Sequence, residues 1–355
     1  MTPDKMIAFG RTMKVRLYGG SHEEKIGMIM EGIEEGLPVD EKKLSEFMAR
    51  RAPGKNPWST PRKEEDKPVF ISGTAGGYTT GEVIEAIIYN RNVRSSDYDN
   101  VKRIPRPAHA DYPAWVKYGE IPSGGGIFSG RMTAVLCVAG GLCRNWLEED
   151  GITVKAHIKS IGDVTDADMD EESTVGIDFG TVSREAGDKM KAEIEQVRKK
   201  GDSIGGVIEC KVFGMPVGVG EPLFGSLEGA ISQAVFGVPA VKGIEFGSGF
   251  EVAAMRGSEN NDPFCVKDGM IKTESNRHGG ILGGLTSGMP VSMNVAIKPT
   301  PSIGTVQRSV DLVTKENTEL IINGRHDPCI VPRAVPCIEA AVAIAVYDVL
   351  REWRS

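Results

Sequence analysis

The chain has 355 residues, and 42 Lys+Arg against 49 Asp+Glu give it a net charge of −7. That balance argues against a general nucleic-acid coat protein, which carries a basic surplus to neutralise phosphates. A composition of 40% hydrophobic and 26% charged residues excludes a disordered chain. Glycine is enriched, 44 of 355 against a usual share of about 7%, so much of the backbone turns tightly or passes close to something.

In chain order, residues 13–18 read as a strand, and Asp40 caps a helix through Leu44, Phe47 and Met48 that ends at Arg50-Arg51. Residues 69–72 read as a second strand. Thr80 opens a second helix over 82–89, with Val83, Ile84, Ile87 and Ile88 on one face. A third helix spans 132–148. His157 sits inside an alternating strand at 153–158 and is a structural residue, and the acid-rich stretch 163–178 reads as a solvated connection. An amphipathic helix over 184–200 stops at Gly201 with basic residues in its last turn. Strands follow at 207–213 and 291–297. The last helix, 334–353, carries Ala341, Ala345 and Val349 on one stripe. No fixed-period repeat and no clean linker divides these elements, so the expectation is one α+β domain over 1–355.

The first twenty residues lack the apolar stretch of a signal peptide. The uncharged run 279–297 has 19 residues but holds five Gly, a Pro, three Ser/Thr and an Asn, the mark of a glycine loop entering a strand. Six cysteines at 137, 143, 210, 265, 329 and 337 include no CxxC pair, which fits reduced thiols. A soluble, cytoplasmic protein with no membrane and no metal centre is expected.

Standard fingerprints are missing. There is no GxGxxG, no Walker A loop (Gly54-Lys55 is followed by Asn56), no HExxH and no GxSxG. Chemistry-bearing residues lie on other loops. His22 follows Gly19-Gly20-Ser21, His109 lies in Arg106-Pro107-Ala108-His109-Ala110-Asp111, where Asp111 can orient the imidazole, and His326 lies in Arg325-His326-Asp327-Pro328 before the last helix. Taken singly, each is more often a satisfied turn residue than a catalyst. Three such loops in one chain weaken that reading. Cations gather nearby: Arg50, Arg51, Lys55, Arg62 and Lys63; then Arg91, Arg94, Lys102, Arg103 and Arg106; then Arg131, Arg325 and Arg333. They suit an anion-binding cleft with guanidinium forks for carboxylate or phosphate. Charge alone leaves a solvated, salt-bridged face equally open. The hydroxyls and lysine of Lys298-Pro299-Thr300-Pro301-Ser302 suit a phosphate, although such a turn needs no ligand.

Nine segments in order carry a resemblance: Gly20-Ser-His22, Arg50-Arg-Ala-Pro-Gly54, Ser59-Thr-Pro-Arg-Lys-Glu64, Arg106-Pro-Ala-His-Ala-Asp111, Gly201-Asp-Ser-Ile-Gly-Gly206, Val241-Lys-Gly-Ile-Glu245, Gly279-Gly-Ile-Leu-Gly-Gly284, Lys298-Pro-Thr-Pro-Ser302 and Gly324-Arg-His-Asp-Pro328. From about residue 14 to 350 the chain resembles the chorismate synthases. The resemblance implies a single-domain layered sandwich of antiparallel sheets and helices, assembled as a homotetramer. It implies a lyase of the shikimate pathway, in aromatic amino acid biosynthesis, that removes phosphate from 5-enolpyruvylshikimate 3-phosphate by 1,4-elimination. The cofactor would be reduced FMN, with NADPH as one source of its electrons and an external donor as another.

By the same resemblance, His22 acts as acid toward the leaving phosphate, His109 sets protonation beside the flavin, and Asp327 assists proton movement. Ser21, Arg51, Arg106, Arg131 and Arg325 hold substrate. Ser129, Ala240, Gly283, Lys298, Pro299, Thr300, Pro301, Ser302 and Arg325 line the FMN. The chain departs from the family pattern at Gly20, Glu23, Ala52, Pro57 and Ile127 and at Arg277-His278. Those departures motivate the alternative of a non-catalytic paralogue that binds a phosphorylated metabolite or flavin. Retention of His22, His109 and Asp327 together counts against it.

Overall fold

Alternating burial builds two sheets. In the strand Lys25–Glu31, Ile26, Met28 and Met30 point into the core, as side chains two apart on a strand must. This strand pairs antiparallel with Lys14–Gly19 on one side and Ile84–Tyr89 on the other, and Val69–Ser72 completes a four-stranded sheet. The second sheet has five antiparallel strands in the order Val241–Phe246, Val291–Ile297, Gly206–Phe213, Thr153–Ile161, Val164–Thr165. Its inner face is formed by Val154, Ala156 and Ile158, by Ile208, Cys210 and Val212, and by Val291, Met293, Val295 and Ile297. The computed structural model describes residues 6–52, 54, 66–91, 102–176, 179–267, 269–322 and 327–355.

Seven α-helices lie among the described residues: α1 (Glu41–Arg51), α2 (Asp111–Tyr118), α3 (Thr133–Glu149), α4 (Arg184–Lys199), α5 (Leu227–Phe236), α6 (Gly257–Asn260) and α7 (Val331–Arg354). Helix α3 packs on the four-stranded sheet, α7 packs on the five-stranded one, and the two helices pack on each other. The result is the expected α+β sandwich, in four layers. Helix α1 flanks α3 and α5 flanks α7. Of the 24 residues of α7, 18 are buried, so the stripe through Ala341, Ala345 and Val349 belongs to a helix enclosed on nearly every side. The α3–α7 approach is close because Gly140 has no side chain: a Cβ there would lie 2.4 Å from Ala340 Cα.

The buried Asp348 of α7 ties down the start of the first sheet. Its carboxylate accepts backbone N–H bonds from Arg11 at 2.7 Å and from Thr12 and Met13 at 2.9 Å, and the Thr12 hydroxyl donates at 2.9 Å. One continuous hydrophobic cluster runs from Met13 to Leu350. Among the described residues no helix is long and apolar enough to cross a membrane.

Most expected elements form within a few residues of their sequence limits. Asp40 caps α1 by accepting from the Lys42 and Lys43 N–H groups. Helix α4 ends before Gly201, whose φ is +69°. The expected helix at 82–89 is instead the strand Ile84–Tyr89. Its Ile84, Ala86 and Ile88 are buried at period two, and Ile87, buried on the opposite face, supplied the false helical spacing. The stretch 163–178 is only partly solvated: Asp166 and Met169 are buried. Asp166 accepts from the backbone of Val182 and Ser183 and from His157, which the structure does place in the core.

Candidate active site

Helix α1 delivers Arg51 into the protein, 2% exposed. A buried guanidinium needs its donors met. Arg51 Nε donates to Thr133 Oγ1 at 3.1 Å, one terminal nitrogen donates to the Gly130 carbonyl at 3.0 Å, and the other is ion-paired with Asp66. The second carboxylate oxygen of Asp66 takes Arg131. Burial opposes ionisation of Asp66, but the two guanidinium groups outweigh it and hold the carboxyl below its ordinary range. Arg131 also donates through Nε to Asn90 Oδ1 at 2.8 Å, and the Asn90 amide binds the carbonyls of Gly20 and Glu23. The arginine pair is thus wired to the loop that carries His22.

Between Pro122 and Ser129 the chain runs through Gly124, Gly125 and Gly126, with φ of +58°, +87° and +51°, values that side chains other than glycine rarely adopt. A Cβ at Gly124 would lie 1.9 Å from His22 Cε1, and one at Gly125 would lie 3.2 Å from His109 Cε1 and Nε2. The loop therefore lets both imidazoles close on the same short piece of backbone. Ser21 Oγ lies 3.1 Å from the Gly124 carbonyl, to which it donates, and 3.1 Å from His22 Nδ1, from which it can then accept. That arrangement places the N–H on Nδ1.

His109 is fixed from the other side. Its Nδ1 lies 2.6 Å from Asp111 Oδ1. Asp111 is buried at the start of α2 and also accepts from Arg106 Nε at 2.7 Å, Arg106 Nη2 at 2.8 Å and the Arg106 N–H at 2.9 Å. Burial raises the Asp111 pKa, yet the bonds from Arg106 and His109 hold it well below the usual carboxylate range. Arg106, expected on substrate, spends Nε and Nη2 on Asp111 and so orients His109 through it.

These groups face a cleft of about 510 Å³. Arg51, Arg106, His109, Ser129, Arg131, Ala240, Lys298, Thr300, Pro301, Ser302 and Asp327 all line it, which brings together most residues expected on substrate or flavin. Ser21 and His22 are outside the lining set and pack against the loop at Gly124, with His22 Nε2 buried there. Gly283 does not line it: it lies in the turn between Ile281–Leu282 and Leu285–Thr286. Pro299 is outside the lining set. Arg325, His326, Pro57, Lys55, Arg62, Lys63 and Arg94 lie outside the described residues. Among the departures, Ile127 forms part of the cleft wall with Phe128, Ala52 is the buried C-cap of α1, and Glu23 lies where a Cβ on Gly20 would meet its Oε1 at 3.0 Å.

The cleft combines an apolar wall with donors that suit an anion. Phe128, Phe236, Val238 and Pro239 supply an apolar wall, while Lys298, Ser302 and the arginines supply cations and hydroxyls. Thr300 Oγ1 is buried at the cleft with no hydrogen-bond partner, a group that a bound anion would satisfy. Burial and the nearby Lys242 lower the pKa of the Lys298 amine, and that amine donates to the Ala108 carbonyl next to His109. Among the described residues no His/Cys/Asp/Glu cluster could hold a metal ion.

Four contributors escaped the sequence. Asp66, Asn90 and Thr133 carry no motif, and Arg333 was noted only for its charge. Arg333 lines the cleft, pairs with Asp327 at 2.6 Å and donates to the Arg51 carbonyl at 3.3 Å.

A family model described as chorismate synthase matches residues 13–350. The chorismate synthase of Lancefieldella parvula is 44% identical over 98% of this chain and 97% of its own length. That of Korarchaeum cryptofilum is 42% identical over 98% of both chains. That of Thermococcus kodakarensis is 43% identical, again over 98% of both. A crystal structure of chorismate synthase superposes with a TM-score of 0.74 at 26% identity, covering 97% of this chain and 93% of that one.

Proposed function

The chain belongs to the chorismate synthase family, carbon–oxygen lyases of the shikimate pathway, and we propose that the cleft between His22 and His109 carries out its 1,4-elimination. The observation that supports this most is the triple-glycine loop, which brings both imidazoles to one stretch of backbone beside a cationic cleft. Substrate is 5-enolpyruvylshikimate 3-phosphate, product chorismate, with phosphate and a ring proton leaving.

His22, with Nδ1–H on Ser21, holds a proton at Nε2 and delivers it toward the leaving phosphate. Arg51, Arg131 and Arg325 bind the substrate's anionic groups, and Ser21 fixes the His22 ring. Asp66 keeps Arg51 and Arg131 together, so their charge is in place before substrate arrives. His109, with Nδ1–H on Asp111, exchanges a proton at Nε2 on the flavin side, and Asp327 takes part in proton movement there. Reduced FMN, when bound, would supply electron density and a proton acceptor beside the substrate ring. Lys298, Thr300 and Ser302 hold its phosphate, Ser129 and Ala240 line it, and the apolar wall excludes water from it. Gly283 and Pro299 complete the FMN contacts in this reading.

The continuous core supports treating 1–355 as one domain. Free cysteines throughout support a reducing, cytoplasmic setting. Exposed Leu223, Phe224, Phe250, Phe264, Val266 and Ile271 support a homotetramer, which would cover them. Electrons reach the flavin from NADPH or from an external donor.

The test is anaerobic turnover with 5-enolpyruvylshikimate 3-phosphate and chemically reduced FMN, with His22→Ala and His109→Ala alongside and FMN binding followed by fluorescence. Both variants should lose about 100-fold or more in turnover while still binding FMN. Full turnover in either removes that histidine from the mechanism. FMN binding without turnover in the parent favours the non-catalytic reading. Adding NADPH in place of chemical reductant separates the two electron sources, and light scattering checks the tetramer.

A further inference from the structure

One turn before the Gly140–Ala340 contact, each of the two central helices carries a cysteine. Cys137 on α3 and Cys337 on α7 are both buried, and their sulfurs are 3.9 Å apart. They are not equivalent. Cys337 lines the floor of the cleft, where Arg51, Thr133 and Arg333 also lie, and its thiol is 3.3 Å from the Arg333 carbonyl. Cys137 sits behind it in the core, 3.7 Å from the Pro336 carbonyl. The hydrogen bond from Cys137, then Arg51, Thr133 and Arg333, bring the Cys337 thiol down to about 7 against the effect of burial. Burial and the same neighbour push Cys137 well up. Cys337, though 3% exposed, is the one of the pair that lines the cleft, with Cys137 behind it, which is the order of an attacking and a resolving cysteine.

We propose that Cys337 is an oxidative modification site in the floor of the cleft, with Cys137 as its resolving thiol and a peroxide as oxidant. The Cys337 sulfur attacks one peroxide oxygen, the O–O bond breaks, and a sulfenic acid and water form. Cys137 then attacks the Cys337 sulfur and water leaves, closing a Cys137–Cys337 disulfide. Overall two thiols lose two protons and two electrons, and one hydrogen peroxide becomes two waters. Closure shortens the sulfur separation from 3.9 Å to about 2.05 Å. Helix α7 can give locally at Pro336, which removes one intrahelical hydrogen bond, whereas Pro332 lies in the first turn and removes none. The movement acts on Arg333, which holds both Asp327 and the Arg51 carbonyl, and so on the cations of the cleft. The loss of turnover rests on the function proposed above; formation of the bond does not.

The test treats the whole protein with hydrogen peroxide, blocks remaining thiols with a maleimide, and maps the peptides by mass spectrometry beside a turnover assay. The expected result is a Cys137–Cys337 peptide pair, a turnover loss of about tenfold to a hundredfold, and recovery with dithiothreitol. In Cys137→Ala the same treatment should carry Cys337 on to the sulfinic acid, a gain of two oxygens that dithiothreitol leaves in place. The proposal is overturned if Cys265, the partly exposed cysteine, oxidises while Cys137 and Cys337 remain alkylatable. It is equally overturned if the pair closes and turnover is unchanged. A protein inactive even when fully reduced would sink the function instead, and the peptide map would still decide the disulfide.

Discussion

A single methyl group at Gly124 tests the histidine arrangement most sharply. It would lie 1.9 Å from His22 Cε1, on a backbone with φ of +58°. The backbone strain of Gly124→Ala costs about 1–2 kcal/mol, small for a chain this size, whereas a displaced imidazole can cost about 100-fold in rate. Turnover should therefore fall by about that factor, with the thermal midpoint lowered by no more than about 5 °C. Near-parental turnover would show that His22 does not need its place against the loop. His22, His109 and the Lys298–Ser302 segment were legible because glycine, proline and charge mark loops in any sequence. Asp66 was not. It is one acid in an acid- and lysine-rich run, and its importance arises only where Arg51 and Arg131, 80 residues apart in number, meet on it. Arg106 lines the cleft, but nothing in its spacing says that it spends two nitrogens on Asp111.

At the scale of elements, the contact between α3 and α7 sets two opposing effects against each other. Gly140→Ala gains about 1 kcal/mol of helix propensity. The new Cβ, however, meets Ala340 Cα at 2.4 Å and its carbonyl oxygen at 2.5 Å, backbone atoms that cannot rotate away, and overpacking costs about 1–3 kcal/mol or more. Urea denaturation should show a net loss of about 2 kcal/mol, and a gain in stability would mean that the helices separate freely. Helices α1, α3, α4 and α7 were legible from their spacing and caps. The strand Ile84–Tyr89 was not, because its second buried face at Ile87 imitates a helical stripe. Lys25–Glu31 is central to its sheet, but Gly27, lying under the Tyr18 ring, and the buried core positions beside partly buried Ile29 blur its alternation. Helix α5 has four small residues among its ten, Gly229, Ala230, Ser232 and Ala234, which blur its apolar face.

For the whole molecule, the buried His157 lies between two carboxylates, with Glu209 Oε2 2.9 Å from Nε2 and Asp166 Oδ2 3.2 Å from Nδ1. Burial raises the Glu209 pKa, but the hydrogen bond from His157, the charge of Lys211 and the Met169 N–H outweigh it and bring it from 4.5 to about 2. A carboxyl depressed on folding stabilises the protein above its unfolded value. That contribution, about 3 kcal/mol, is lost as pH falls from 4.5 toward 2. Glu209→Gln should lower stability at neutral pH and flatten the acid side of the stability curve across that window. An acid slope equal to the parent's would assign acid unfolding to other groups. The α+β class and the family were legible at this scale, since nine motifs kept their sequence order, whereas the order of the layers was not. The cleft's composition was not, because its walls come from segments that only the fold brings together.

Asp348 has a further consequence, one that concerns time. It fixes the backbone of Arg11, Thr12 and Met13 across sequence separations of 335 to 337 residues, and α7, which carries it, is the partner on which α3 and the second sheet close. A ribosome adding roughly 5–20 residues per second needs roughly 15–70 s to travel that interval. Throughout it, the start of the first sheet lacks its Asp348 anchor. The nascent chain can close α3 over Ile26, Met28 and Met30 before it is half made, but the other face of α3 stays uncovered until α7, its partner, is synthesised.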